Sequence, residues 1–308
     1  MHRDLKIMIS QKANELGFDL VGFCKGEYSP TDHDHLLQWL RHGHHGAMTY
    51  MAREPRQRSD PRLLVDDVRT VISLGVNYYK EPGYREDRPY ISIYARGEPY
   101  QKVIRPRLKR LFSFIQEHVP DARGKVAVDT SPTFDKLWAQ KAGLGWRGKN
   151  TLIINRKLGS FTFLGEVFLN LEIEPDDPVK DHCADCRKCL DACPTGAIIE
   201  PYMLDATKCI SYLTIEAGPQ APNRHLVGNH LFGCDLCQLA CPYNRALAPT
   251  KWSELLPKPQ FDPDFEHDWL NLTEPEFKNR YSGTIIYDNG FNNYERNAKN
   301  LTFKREGH

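Results

Sequence analysis

No stretch of the 308-residue chain approaches the ~18 consecutive apolar residues that a membrane-spanning helix needs. The N-terminus, MHRDLKIMISQKANELGFDLVGF, lacks the apolar core of a secretory signal and has no twin arginine. A soluble, cytoplasmic protein with no membrane partner is expected. An excess of charge of one sign is also missing. With 41 basic residues against 40 acidic ones, a nucleic-acid partner must be met by a local basic patch and not by the protein as a whole. There is no internal repeat of solenoid period and no low-complexity tract. The length is enough for a full-sized core plus a smaller appended module.

Cysteine is scarce outside one window. Eight of the nine fall in Cys183xxCys186xxCys189xxxCys193-Pro194, then Cys209, then Cys234xxCys237xxxCys241-Pro242. That is the ligand spacing of a chain that folds around two [4Fe-4S] clusters, and it points to electron transfer. A tight cysteine turn offers thiolates to one cluster, while the cysteine before each proline reaches across to the other, as in two-cluster ferredoxins. Cys183, Cys186, Cys189 and Cys241 then hold one cluster, and Cys193, Cys209, Cys234 and Cys237 the second. Two other readings stand beside this one. Zinc sites pair two CxxC units but do not need the repeated CxxxCP. A disulfide framework suits a secreted chain, and nothing marks this one as secreted.

Residues 1–175 alternate helical and strand patterns, which gives an α/β or α+β core. The pattern predicts a first helix through Leu5, Met8, Ile9 and Leu16, then the strand FDLVGFC, a helix around LLQWLRHG and the strand VRTVISLGVNYY. A long amphipathic helix near YQKVIRPRLKRLFSFIQEHV follows, then the strand KVAVD. Next comes a helix over SPTFDKLWAQKAG, with Ser131 as N-cap and Pro132 at N1, and the strands TLIIN and SFTFLGEVFLNLEI. EIEPDDPVKDH reads as a linker. Residues 176–250 form the cluster module, with short helices after the cysteine turns. Residues 251–308 form a polar tail, packed on the core, whose one firm helix is near EPEFKNRY.

Several features carry a plainer reading beside the functional one. Gly143 through Gly148 spells GxGxxG, and Gly143 through Lys149 nearly spells a P-loop, but both motifs need a strand before the glycines and a helix after them. Here a helix precedes and a strand follows, so the segment is expected to be a helix C-cap and a turn, with no NAD or ATP site. His33, His35, His42, His44 and His45 suggest a metal. Only His42 and His45 have helical spacing, and Gly43 breaks that helix, so a solvated loop is expected. Cys24 reads as a small core residue. The run Lys102, Arg105, Arg107, Lys109 and Arg110 is either a solvated helix face or a phosphate-binding surface. Asp129, just before Ser131-Pro132, is by its residue type a turn former.

Asp129 in VDTSP, GLGWRGKN, the GSF segment, KCLDACPTGAI, KCISYLT and GCDLCQLACPYN occur in the order found in epoxyqueuosine reductases. Over about residues 15–300 the chain resembles that family of corrinoid and iron-sulfur enzymes, which finish the queuosine base in tRNA. The resemblance implies an α+β protein. A cobalamin-binding domain similar to the reductive-dehalogenase core would be joined to a two-cluster ferredoxin-like module. It also implies the reaction, reduction of the cyclopentane epoxide to the cyclopentene with loss of water. Cob(I)alamin, charged through the clusters, would open the epoxide. Asp129 would be the proton donor, its pKa raised by burial beneath the corrin.

Matching motifs further imply that Arg58, Tyr94, Ala95, Ile153, Leu164, Ser211, Asp235 and Gln238 line or approach the cofactor. Pro99 and Gln101 depart from the family, where Asp and His are common. Phe277, Tyr281, Gly283, Arg296 and Asn297 resemble its tail, which here stops at His308, whereas longer members carry helical repeats that grip tRNA. The anticodon stem-loop would then be held by the basic helix and by Arg53, Arg56, Arg58 and Arg62. An unidentified low-potential electron donor is implied, and a monomer is expected. Two other readings remain: a corrinoid reductase acting on a small molecule, and an electron-transfer ferredoxin with an inert N-terminal domain.

Overall fold

The computed structural model describes residues 2–218, 223–261 and 270–302. Every residue of the strand Thr70–Asn77 is buried, and a strand buried on both sides needs cover on both faces. Leu20–Lys25 and Thr162–Leu169 flank it, and Gly124–Ala127 pairs with the outer side of Thr162–Leu169. All three pairings are antiparallel, with Ile72 between Phe23 and Val167. The two-residue period of a strand sends Ile72, Leu74, Phe163, Val167 and Leu169 to one face, packed with the helices His2–Glu15 and Tyr100–His118. Val71, Leu164 and Phe168 go to the other face, under the short helix Asp135–Lys141 and its buried Trp138.

An antiparallel sheet makes this an α+β arrangement. Asp129 lies just beyond the edge strand Gly124–Ala127. The helix expected from Ser131 starts only at Asp135, with Phe134 at its N-cap. The intervening residues are tied elsewhere: Phe134 N–H donates to the Arg58 carbonyl, and Thr133 Oγ1 accepts from Trp138 Nε1. TLIIN contracts to a two-residue strand, Ile153–Ile154, paired with Trp146–Arg147. Between helix and hairpin, Ala142 is the C-cap and Gly143 takes φ +74°, the left-handed closure that glycine permits.

The supposed linker is pinned, because Asp176 accepts from Lys6 Nζ at 2.6 Å and from Phe23 N–H at 2.9 Å. The histidine segment is not a free solvated loop either. Trp39 Nε1 donates to the Leu204 carbonyl, Ala47 N–H to the Tyr212 hydroxyl, and Ala206 N–H to the His44 carbonyl, so the segment docks on the cysteine-rich region. Tyr90–Ile91 also pairs in parallel with His230–Phe232. Among its described residues the tail forms three α-helices and not one: Glu274–Tyr281, Ile285–Asn289 and Phe291–Lys299. Phe277 and Tyr281 pack there with Leu231 and Phe232, and Asn297 Nδ2 bonds the carbonyls of Thr214 and Leu231. Residues 262–269 and 303–308, with His308, lie outside the described residues.

Candidate active site and cluster centre

None of the nine cysteines forms a disulfide. Cys24 is buried, its Sγ 3.8 Å from the Trp138 carbonyl, and burial pushes its thiol up to about 12. The other eight gather through two turns. Cys186 N–H closes on the Cys183 carbonyl, and the short helices Lys188–Asp191 and Leu236–Leu239 follow. Proline after a cysteine holds that residue extended, and Cys241 before Pro242 has φ −73°, ψ 126°. The extension carries Cys241 back to Cys183 and Cys186, and Cys189 faces Cys183 and Cys241 in turn. Cys209 faces Cys193, Cys237 faces both, and Cys234 faces Cys237 and Cys209. Cys189 is also within electrostatic reach of Cys237, so the two groups adjoin.

Burial, reinforced by neighbouring sulfurs, raises the thiols of Cys189, Cys209, Cys234, Cys237 and Cys241 above the ordinary range. Iron binding displaces those protons. Among the described residues no three His, Cys, Asp or Glu side chains converge on a point fit for one ion. Ligands of a four-iron cluster each take a different iron and stand farther apart than ligands of a single metal.

Cys193, Cys209, Cys234 and Cys237 form part of the wall of a cavity of about 290 Å³. Tyr78, Tyr94, Asn150, Ser211, Asp235 and Gln238 complete much of it. Asp235 is 1% exposed and accepts four hydrogen bonds, from the Tyr90 and Ser92 hydroxyls, Ile93 N–H and Gln238 Nε2. Gln238 Oε1 in turn accepts from Ser160 Oγ. Asn150 Nδ2 is buried with no hydrogen-bond partner among the described residues. A mostly apolar cavity with an unpaired amide on its wall suits the chemistry of an amide-bearing ligand such as a corrin, beside the second group of thiols.

A second cavity, of about 90 Å³, shares Lys136 and Leu152 with the first and holds Asp129 beside Tyr100, Asp135, Ile153 and Leu164. Asp129 takes φ +53°, a left-handed conformation that Asp and Asn tolerate better than most residues. Gln101 Nε2 donates to Asp129 Oδ2 at 2.9 Å, and Arg105 bonds the Val128 carbonyl and Thr130 Oγ1 on either side of it. The Asp129 side chain is exposed. The phenol of Tyr100 faces it, kept protonated first by burial and then by the Asp129 carboxylate.

Other expected contacts sit differently. Ala95 is 0% exposed and packs in the apolar cluster with Ile91 and Phe232, away from the walls of both cavities. Arg58 is buried and donates to the Tyr50 carbonyl, while its Nε has no hydrogen-bond partner among the described residues. It is therefore no surface grip for RNA, although it and Asp129 both act on the Tyr50 phenol. Arg62 and Arg56 are exposed but engage Asp60, at 2.7 and 3.5 Å. In the basic helix Arg107 is held by Glu254 at 2.6 Å and lies over Trp252, whereas Lys109 and Arg110 are exposed. Tyr78, Tyr100, Lys136, Asp135 and Ser160 were missed from the sequence. Only the aromatic strand end NYY and the asparagine closing GKN carried any signal for this region.

Two family models match the chain. One, described as a 4Fe-4S double cluster binding domain, covers residues 182–244, and the other, described as epoxyqueuosine reductase QueG, DUF1730, covers residues 58–130. Epoxyqueuosine reductases from Leadbetterella byssophila and Escherichia coli are both 41% identical. The alignments cover 96% of this chain and 97% of the former, and 86% of this chain and 74% of the latter. Among solved structures, an epoxyqueuosine reductase with an epoxyqueuosine-modified tRNA-Tyr stem loop is 30% identical. It has a TM-score of 0.88, over 97% of this chain and 81% of that one. The enzyme from Streptococcus thermophilus matches at 30% identity and a TM-score of 0.78, over 96% of this chain and 80% of that one.

Proposed function

The chain belongs to the epoxyqueuosine reductase family, and on that footing we propose that it reduces epoxyqueuosine to queuosine in tRNA, with Asp129 as proton donor. One observation carries the reading. The cavity walled by Cys193, Cys209, Cys234 and Cys237 meets the cavity holding Asp129 at Lys136 and Leu152, so electron supply and acid converge on one place. When bound, the two [4Fe-4S] clusters supply one-electron transfer and cobalamin supplies a nucleophilic cobalt centre able to open the epoxide. Tyr94, Asn150, Ser211, Asp235 and Gln238 would hold the corrinoid, with Ile153 and Leu164 toward Asp129.

The protein's own part is to position and to move a proton. Gln101 fixes one Asp129 oxygen, the Tyr100 phenol faces the carboxyl, and Arg105 braces the backbone on both sides, so the carboxyl is held in place to protonate the epoxide oxygen as the C–O bond breaks. The substrate is the anticodon stem-loop, met by Lys109 and Arg110 of the basic helix and by Arg53. The enzyme acts as a cytoplasmic monomer fed by a low-potential donor, in surroundings that keep thiols reduced.

The nucleosides of tRNA from a deletion strain test this function. Epoxyqueuosine should accumulate in place of queuosine, and a copy of this chain should restore queuosine. Unchanged queuosine would favour a small-molecule substrate.

A further inference from the structure

The segment GLGWRGKN is held against the first cysteine turn by two of its side chains. Trp146 is 1% exposed, and its indole Nε1 donates to Cys183 Sγ at 3.4 Å. Three residues on, Lys149 Nζ donates to the carbonyl of Ala184, the next residue of that turn.

The indole is fixed from several sides. Trp146–Arg147 pairs with Ile153–Ile154, and the approach is close: a Cβ on Gly145 would lie 2.3 Å from the Ile154 carbonyl oxygen, so only glycine fits there. Tyr243 and His182 meet the indole edge-on at 4.8 and 5.0 Å, and Arg147 is tied to Asp32 at 2.9 Å. Cys241 packs in the same small cluster, so one ring adjoins two of the four thiols Cys183, Cys186, Cys189 and Cys241. The other described tryptophans donate to oxygen. Trp39 bonds the Leu204 carbonyl, Trp138 bonds Thr133 Oγ1, and Trp252 bonds the Gly17 carbonyl. In the second group of thiols Cys193 Sγ accepts from the Ala197 backbone N–H at 3.3 Å, a bond that Trp146 does not touch.

Iron binding takes the proton of Cys183 and leaves a thiolate, which can only accept. An N–H aimed at that thiolate is a charge-assisted bond, strengthened where water is excluded. Reduction adds negative charge to the cluster and its sulfurs, so the bond is stronger in the reduced state and moves the potential upward. On the two-cluster reading above, we propose that Trp146 is a positioning residue that raises the reduction potential of the cluster held by Cys183, Cys186, Cys189 and Cys241, through its bond to Cys183. One electron enters that cluster and the indole proton stays on nitrogen, so no covalent bond forms or breaks. None of these four thiols lines the interior cavity, and the bond eases entry of each electron at this outer group. An indole present only to fill space could be replaced by a phenyl ring without changing the potential.

The experiment titrates full-length, anaerobically reconstituted protein with reductant and follows both clusters by EPR. Trp146→Phe keeps an aromatic ring in place and removes the donor. One midpoint potential should fall, by about three- to tenfold in the reduction equilibrium constant or roughly 30 to 60 mV for one electron, while the other midpoint and the iron content stay as they were. The cluster that shifts should be the one that survives in Cys209→Ala. A second measurement needs no substitution at Trp146: in protein carrying nitrogen-15 at its indole nitrogens, pulsed EPR of the reduced state should show a nitrogen coupling to that same cluster. Unchanged midpoints in Trp146→Phe, or a shift confined to the cluster lost in Cys209→Ala, would overturn the proposal. If Trp146→Phe takes up no iron, the labelled parent decides, and absence of the coupling there overturns it. Failure of the two-cluster reading would appear separately, as a parent protein with no iron and no cluster absorbance.

Discussion

Asp129 was legible as a candidate because VDTSP stands in a known order with the other motifs. Its partners were not, because Gln101 and Arg105 lie 28 and 25 residues away from their bonding partners in sequence. Gln101, which departs from the residue common in the family, turns out to be the side chain bonded to the acid. Asparagine also tolerates the left-handed backbone at this position, so Asp129→Asn should fold and keep its iron. Single-turnover reduction by prereduced enzyme should slow by about 10²- to 10⁴-fold, roughly 3 to 5 kcal/mol of barrier, with tRNA affinity little changed. A rate within a few-fold of the parent would return Asp129 to the role of a turn residue. Glu166 was not foreseen at all. It is 0% exposed in a strand, neither carboxylate oxygen has a partner among the described residues, and burial, with Asp135 facing it, raises its pKa well above normal. The folded state therefore holds a proton that the unfolded chain releases, so this contribution to stability is full below the unfolded pKa of about 4.5 and is lost as pH rises toward the folded value. Melting temperatures between pH 5 and pH 8 should decline less in Glu166→Gln than in the parent. Parallel declines would show that Glu166 ionises in the folded protein much as it does in the unfolded chain.

Among the elements, Thr70–Asn77 and Tyr100–His118 could be read from periodicity alone because packing decides them and the sequence repeats what packing needs. The helix Asp135–Lys141 begins late because Phe134 N–H is spent on the Arg58 carbonyl, a tertiary bond that capping rules do not see. Phe291–Lys299 was missed for a related reason. Its buried face includes Asn293 and Asn297, whose amides bond the carbonyls of Thr214 and Leu231, so a hydrophobic pattern could not reveal it. The cysteine turns were the most legible elements, since ligand spacing is local chemistry. Cys209 stands apart from both turns yet faces Cys193, Cys234 and Cys237. Reconstituted protein should hold about eight irons, and Cys209→Ala should lose one cluster of the two, leaving one EPR signal. Full iron and both signals in that variant would break the ligand partition.

At the scale of the whole molecule, near-neutral charge says little, and the distribution of basic groups says more. Arg107 and Arg62 are already paired, so fewer cations face a phosphate backbone than the sequence suggests. Stem-loop affinity should still fall steeply with salt, and charge reversal at Lys109 and Arg110 should flatten the slope by about 0.7 per lost single-strand contact, or about 0.9 in a duplex. Arg105 is the wrong residue for that test, because it supports the Asp129 loop. The central claim is that electrons from a two-cluster module and a proton from Asp129 meet over the modified base of a tRNA. Mass analysis of an epoxyqueuosine-bearing stem-loop, incubated anaerobically with the reconstituted chain and a reductant, tests it most directly. The stem-loop should be converted to queuosine when cobalamin is supplied and not when it is withheld. Conversion without cobalamin, or none with iron and cobalamin both bound, would contradict the account.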